Sequence, residues 1–176
     1  GVNSLSWTAK FDAQANYTNG KWHWNNTFKY GYGQQFQEET DWRKTDDVID
    51  FNTQLSRGID EKQHWRFLFE LSFITQSTEG FEYTDTTSIT TSDWLAPAYV
   101  NSGIGFLYKP TDYFELGIQP ISTKLTIVND QDIADSGAFG NEAAEYDNAG
   151  ILVKNGRKIR GEFGATVKMK FEKELV

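Results

Sequence analysis

The chain of 176 residues contains no cysteine. That removes a disulfide framework, a zinc–thiolate centre and a catalytic thiol from consideration. Histidine occurs only twice, so a metal or catalytic centre built on imidazole has only His23 and His64 to draw on. No run of about 18 apolar residues occurs, which excludes a transmembrane helix. Positive charge is in short supply: 17 Lys and Arg stand against 25 Asp and Glu, a net charge of −8. Binding nucleic acid without sequence preference needs a basic surface, so nucleic acid is not an expected partner. The chain opens Gly1-Val2-Asn3-Ser4, without the charged and apolar regions of a signal peptide. It reads as a processed form or a fragment.

Aromatic residues are plentiful instead. Six Trp, eight Tyr and 13 Phe make up 15% of the chain, many for an acidic soluble domain. Their placement is regular. Leu5, Trp7, Ala9, Phe11, Ala13, Ala15 and Tyr17 occupy odd positions, and the even positions between them are polar. A period of two describes a strand with one apolar and one polar face. Ile159, Gly161, Phe163, Ala165, Val167, Met169 and Phe171 repeat the pattern near the other end. Five more strands are expected between them. They run over 21–36 with Trp22, Trp24, Phe28, Tyr30, Tyr32 and Phe36, and over 47–59 with Ile49, Phe51, Leu55 and Ile59. The next spans 64–76 with Trp65, Phe67, Phe69, Leu71 and Phe73, and another spans 96–108 with Val100, Ile104, Phe106 and Tyr108. The sixth spans 113–128, with a phase change near Pro120 that suggests a bulge or an interruption.

At about 3.3 Å per residue, Leu5 to Tyr17 measures about 40 Å. Tilted by about 45°, it covers the apolar band of an outer-membrane barrel, about 25 Å tall. The connections at 18–21, 60–63 and 109–112 are short, and those at 37–46, 77–95 and 129–157 are long and polar. Short turns at one rim and long loops at the other are the outer-membrane arrangement. Trp22, Trp24, Trp65, Phe114, Tyr17 and Tyr108 cluster beside the short turns, as in an aromatic girdle. The fold expected is therefore all-β: one domain over 1–176, an antiparallel up-and-down transmembrane β-barrel. Bacterial single-chain barrels have an even strand number, so seven strands point to an incomplete piece. A soluble barrel or sandwich with the same faces reversed is the competing reading. Its small interior would struggle to hold so many large aromatics.

Six stretches carry a family resemblance: Gly1-Val2-Asn3-Ser4-Leu5; Gly20-Lys21-Trp22 followed by Tyr30-Gly31-Tyr32-Gly33; Arg43-Lys44-Thr45-Asp46-Asp47; Leu95-Ala96-Pro97-Ala98-Tyr99; Tyr108-Lys109-Pro110; and Gly137-Ala138-Phe139-Gly140. They resemble a family of uncharacterised outer-membrane proteins from Bacteroidota, known as a domain of unknown function. The resemblance implies further strands on either side. It supplies no activity and no catalytic residue.

Candidate sites are few. Asp46, Asp47 and Asp50 follow Arg43 and Lys44 where a long loop is expected to enter a strand. They would serve as ligands for a cation or a partner, or as a plain loop-to-strand clasp. Asn129, Asp130, Asp132 and Asp135 form an acidic cluster in the longest loop, a set of hard oxygen ligands without EF-hand spacing. His23 and His64 lie beside short turns on polar faces. No nucleophile-elbow or triad spacing appears. The polar faces carry Lys10, Asp12, Lys29, Asp50, Arg66, Glu70, Glu115, Arg160, Glu162, Lys168 and Lys170, mixed signs suited to ion pairs inside a narrow barrel. Trp7, Trp22, Trp24, Trp65, Phe67 and Phe69 are expected to face lipid, and Tyr83, Trp94, Phe139 and Tyr146 to serve as loop anchors for a partner.

These readings lead to a bacterial outer-membrane protein, structural or partner-binding, without enzymatic activity or cofactor. Its expected partners are the lipid bilayer and other envelope proteins. A small-solute channel and a soluble ligand-binding barrel are the alternatives.

Overall fold

The computed structural model describes residues 3–38, 40–84 and 87–173. In chain order the elements are β1 (Ser4–Asn19), β2 (Trp22–Gln37), β3 (Thr40–Gly58), β4 (Trp65–Thr75), β5 (Gly80–Tyr83) and β6 (Ser88–Ser92). Then come β7 (Ala98–Thr111), β8 (Phe114–Ile127), helix α1 (Gln131–Ser136), β9 (Glu145–Tyr146), β10 (Leu152–Lys154) and β11 (Ile159–Phe171). Seven of the strands form one sheet in the order β1-β2-β3-β4-β7-β8-β11. Every pairing in it is antiparallel. These are the seven strands that the period-two pattern marks. Among the described residues no pairing joins β1 to β11, so the sheet is open.

Turn chemistry ends the strands at one rim. Gly20 adopts φ 58° between β1 and β2, which a residue without Cβ does freely. Asp60 accepts the Trp65 amide at 2.8 Å and the His64 amide at 3.3 Å, closing the turn between β3 and β4. Near Pro120 the strand bulges rather than breaks. Gln119 and Pro120 together face Gly105, because Ile118 pairs with Phe106 and Ile121 with Ile104.

Four connections differ from their expected form. Residues 37–46 are not a long loop, since β2 runs to Gln37 and β3 begins at Thr40. The hairpin extends past the last β3–β4 pair, Ile49 with Thr75. The 109–112 stretch is mostly strand, because β7 continues to Thr111. The segments 77–95 and 129–157 contain the β5–β6 hairpin, helix α1 and the β9–β10 hairpin.

The sheet curls toward its polar face. Lys10 of β1 approaches Asp46 of β3 at 3.7 Å over the intervening β2. Gly33 of β2 permits this: a Cβ there would crowd the Thr8 and Thr45 hydroxyls. Across β7 and β8, Lys168 of β11 reaches Glu70 of β4 at 2.8 Å. The other face carries the aromatic ladder. Trp65 and Tyr108 are directly paired with rings 4.6 Å apart, and Phe67 and Phe106 with rings 5.3 Å apart. Trp7 packs on Tyr32 and Phe11 on Phe28. These side chains remain open: Phe67 is 54% exposed and Ile104 56%.

The buried apolar cluster lies elsewhere, off the end of the sheet. Ala96, Val128, Ile133 and Ala134 are buried together, with Phe139 packed against them. Asp130 caps α1 by accepting the Ile133 amide, and Gly137 ends it in the left-handed conformation. We refer to this unit as the cap.

Candidate functional site

Alternation aims the polar side chains of β2, β3, β4, β7, β8 and β11 into one concave trough of about 690 Å³. Its centre is Glu70. One carboxylate oxygen accepts Gln54 Nε2 at 2.9 Å, and the other accepts Lys168 Nζ at 2.8 Å and Gln119 Nε2. Gln54 in turn accepts Asn25 Nδ2 at 3.3 Å. Further along, Glu162 pairs with Arg160 at 3.0 Å and with Lys124 at 3.9 Å. Asn101 donates to Ser72, and Ser102 and Thr123 share a hydrogen bond of 2.7 Å. Of the charged residues expected on the polar faces, Glu70 meets Lys168 and Arg160 meets Glu162, whereas Lys10, Glu115 and Lys170 pair instead with Asp46, Lys109 and Glu172. A hydrogen-bonded interior of this kind is rigid and leaves few free groups for chemistry.

The second constellation lies where the extended β2–β3 hairpin passes the β4–β5 connection. The Asp47 carboxylate is 1% exposed and pairs with Lys44 at 2.9 Å. It also accepts the Ser77 amide at 2.8 Å and hydroxyl at 2.7 Å, and the Thr78 amide and hydroxyl, each at 3.0 Å. Lys44 spends its remaining donors on Gln76 Oε1 and the Thr78 carbonyl, both at 2.8 Å. Asp47 is thus fully occupied as a clasp. Asp46 and Asp50 do not join it. Asp46 turns inward to Lys10, and Asp50 accepts Asn52 Nδ2 at 2.6 Å.

The acidic cluster of the longest loop is also divided among separate tasks. Asp130 is the N-cap of α1, and Asp135 accepts Gln131 Nε2 at 2.6 Å and the Gly156 amide at 2.7 Å. Asp132 is exposed in the first turn of α1, and the Asn129 carbonyl accepts from Lys158. Among the described residues no group of three or more His, Asp and Glu could hold a metal ion. His23 bridges two short turns through Thr18 Oγ1 and Gln63 Oε1. The Trp65 amide is the main cause that holds the Asp60 carboxyl below its usual range.

Trp7, Trp22, Trp24, Trp65, Phe67 and Phe69 all lie exposed on the convex face. Of the loop aromatics, Tyr83, Trp94 and Tyr146 are exposed, whereas Phe139 is committed to the cap core. Arg43 lies over the Tyr83 ring at 3.9 Å. Reading the sequence missed the role of Ser77, Thr78 and Gln76 around Asp47. Its one available signal was the loop-to-strand clasp reading of Arg43–Asp47.

Residues 1–81 match a family described as a protein of unknown function, DUF3078. That description mentions neither an outer membrane nor a source organism. The comparison with curated proteins and the comparison with solved structures returned no match.

Proposed function

We propose that the chain forms the wall of an outer-membrane β-barrel and acts as a structural or partner-binding component of the bacterial envelope, not as an enzyme. The supporting observation is the reversal of faces: the sheet curls around its polar side and leaves its aromatic side outward. Full burial of a Phe, Ile or Leu side chain contributes about 1.5–3 kcal/mol, and side chains left 39–56% exposed forgo roughly half of it in water. Summed over Phe67, Phe69, Ile104, Phe106, Ile121 and Leu125, this reaches the lower part of the whole stability of a domain, about 5–15 kcal/mol. Lipid on that face removes the cost. Strand length agrees: β4 has 11 residues, and at about 3.3 Å each with a tilt near 45° they span about 25 Å. The direction of curl also speaks against a soluble barrel with apolar contents. Closure would require strands beyond the seven described, paired to the free edges of β1 and β11.

The volume of the trough supports a second reading, a small-solute channel. The Glu70 network across it favours a filled interior instead, and a planar-bilayer conductance step would reverse that preference. The primary test is fractionation of the expressed protein. A heat-modifiable, detergent-requiring band in the outer membrane is expected. A freely soluble monomer would sink the membrane reading.

A further inference from the structure

The convex face of the sheet is nearly devoid of charge. From the level of the last β3–β4 pair, Ile49 with Thr75, down to the short turns, its strand positions are aromatic, aliphatic, small or neutral polar. Among the described residues one charged side chain breaks this rule, Arg57 of β3. Its direct cross-strand partners are Trp22 of β2 and Phe67 of β4, and directly opposed residues share a face. Leu55, two positions earlier on β3, lies on the same face. Arg57 is therefore a cation set among Trp22, Phe67 and Leu55. The charged residues of the neighbouring positions, such as Lys29 and Asp50, pair in the other phase and face the trough.

No carboxylate answers it. Among the described residues Arg57 takes part in no ion pair. Asp60, which follows in the turn, is spent on the His64 and Trp65 amides. The guanidinium carbon instead lies 5.3 Å from the centroid of the Trp22 ring. That attraction uses the charge and no particular N–H group, and Arg57 stays exposed. A second cation adjoins it. The Lys21 carbonyl accepts the Gly58 amide at 2.8 Å, and Lys21 is exposed. On a face covered by lipid, a cation without a carboxylate takes its partner from the lipid itself. The place is suitable, because Trp22 and Trp65 stand at this rim and indole rings favour the level of the head groups.

We propose that Arg57, oriented by Trp22 and assisted by Lys21, binds the phosphate of an anionic phospholipid at the short-turn rim. The guanidinium offers paired N–H donors that match two phosphate oxygens. The acyl chains of the same lipid then lie along Phe67 and Phe69, which are exposed on that face. This rests on the reading that lipid covers the aromatic face, and it adds which lipid group is held and where.

The test uses the full chain folded in a non-ionic detergent and titrated with dioleoylphosphatidylglycerol, with bound lipid counted by native mass spectrometry. Dioleoylglycerol, which has the same chains and no phosphate, is the control and should bind more weakly. Arg57→Gln should weaken phosphatidylglycerol binding about fivefold. Arg57→Lys keeps the charge without the planar fork and should weaken it less than about threefold. Lys29→Gln removes the same charge from the opposite face of the sheet and should change binding less than about twofold. Arg57 and Lys29 are both exposed, so the variants should keep the strand circular dichroism of the parent. Equal affinity for the two lipids overturns the proposal. So does equal weakening by Arg57→Gln and Lys29→Gln, which would report net charge alone. Displacement of the lipid by equimolar inorganic phosphate would mark a site for the free ion and overturns it too. A chain that fractionates with the outer membrane yet ignores Arg57→Gln loses the phosphate site and keeps the barrel, whereas a freely soluble chain loses the barrel reading first.

Discussion

The sheet and the cap solve the same problem in opposite senses. In the cap, Ala96, Val128, Ile133 and Ala134 are hidden, and Asn141 is buried with its amide bonded to the Ala134 and Arg157 carbonyls. Charge stays outside. This is how a chain folds in water. In the sheet, Glu70, Gln54, Gln119 and Lys168 converge inside while Trp65, Phe67 and Phe106 point out. One sequence carries both arrangements, so overall composition cannot be the cause. The cap covers its own apolar surface, whereas the sheet leaves its aromatic ladder exposed. The two regions meet at contacts such as the Arg160 guanidinium of β11 on the Gly140 carbonyl, and can be broken separately.

The largest effect is expected at the tightest point of the sheet. A Cβ on Gly105 would run into the Ile118 carbonyl oxygen and the Gln119 Cα, both backbone atoms of the bulged strand. Neither can move without separating β7 from β8. Gly105→Val should therefore prevent the sheet from folding, read as loss of the heat-modifiable band and of strand circular dichroism. An unaltered band would mean that the curl does not depend on this close approach.

Phe69→Arg comes next and tests the difference between the regions most directly. Phe69 is exposed near the middle of β4, opposite Ile104. If lipid covers this face, Arg there costs about 2–4 kcal/mol of folding stability in phosphatidylcholine vesicles. In water, replacing an exposed apolar side chain changes stability by no more than about 0.5 kcal/mol. Guanidinium titration of the vesicle-folded protein separates the two values.

The sheet was the more legible region. Its strands announce themselves by strict alternation, and Pro120 marked the bulge. The extension of β3 was hidden because Asp41, Arg43 and Lys44 interrupt the alternation beyond Ile49, where pairing with β4 stops. Helix α1 has six residues, too few for a helical period to emerge, and β6 is Ser-Ile-Thr-Thr-Ser, a run with no apolar rhythm. The candidate site was partly legible. Asp46, Asp47 and Asp50 are neighbours in sequence, but their carboxylates go to Lys10, Lys44 and Asn52. Their separation follows from the pleat and from the Thr45 bulge, where Asp46 pairs with Gly33 and Lys44 with Gln34. The hub at Asp47 needs Ser77 and Thr78 beside it, a long-range contact that no local pattern encodes.

In the cap, truncation should act as it does in an ordinary core. Ile133 is 4% exposed among small neighbours, so Ile133→Ala should cost about 2–3 kcal/mol, the lower part of the range for such truncations. The loss should remain local. Hydrogen exchange would quicken at 129–141 while the β4 and β7 amides stay protected. Equal quickening in both regions would show one cooperative unit and remove the basis for treating them apart.

The smallest effect concerns where the sheet meets water. Asp60 lies in the turn between β3 and β4, and its carboxyl is held low chiefly by the Trp65 amide. A depressed folded-state value means that the carboxylate stabilises the fold above its unfolded value, near 3.9, and that this contribution fades as pH falls through the folded value. Asp60→Asn keeps an acceptor for the amides and does not titrate at this site. Between pH 7 and pH 3 the denaturation midpoint of the parent protein should fall by slightly more than that of Asp60→Asn, with the difference confined to pH below about 4. Because the group is partly exposed to solvent, added salt should shrink the gap. Parallel curves for the two proteins would mean that the turn is held by its backbone geometry alone, and that acid reaches the sheet through its interior carboxylates, Glu70 first among them.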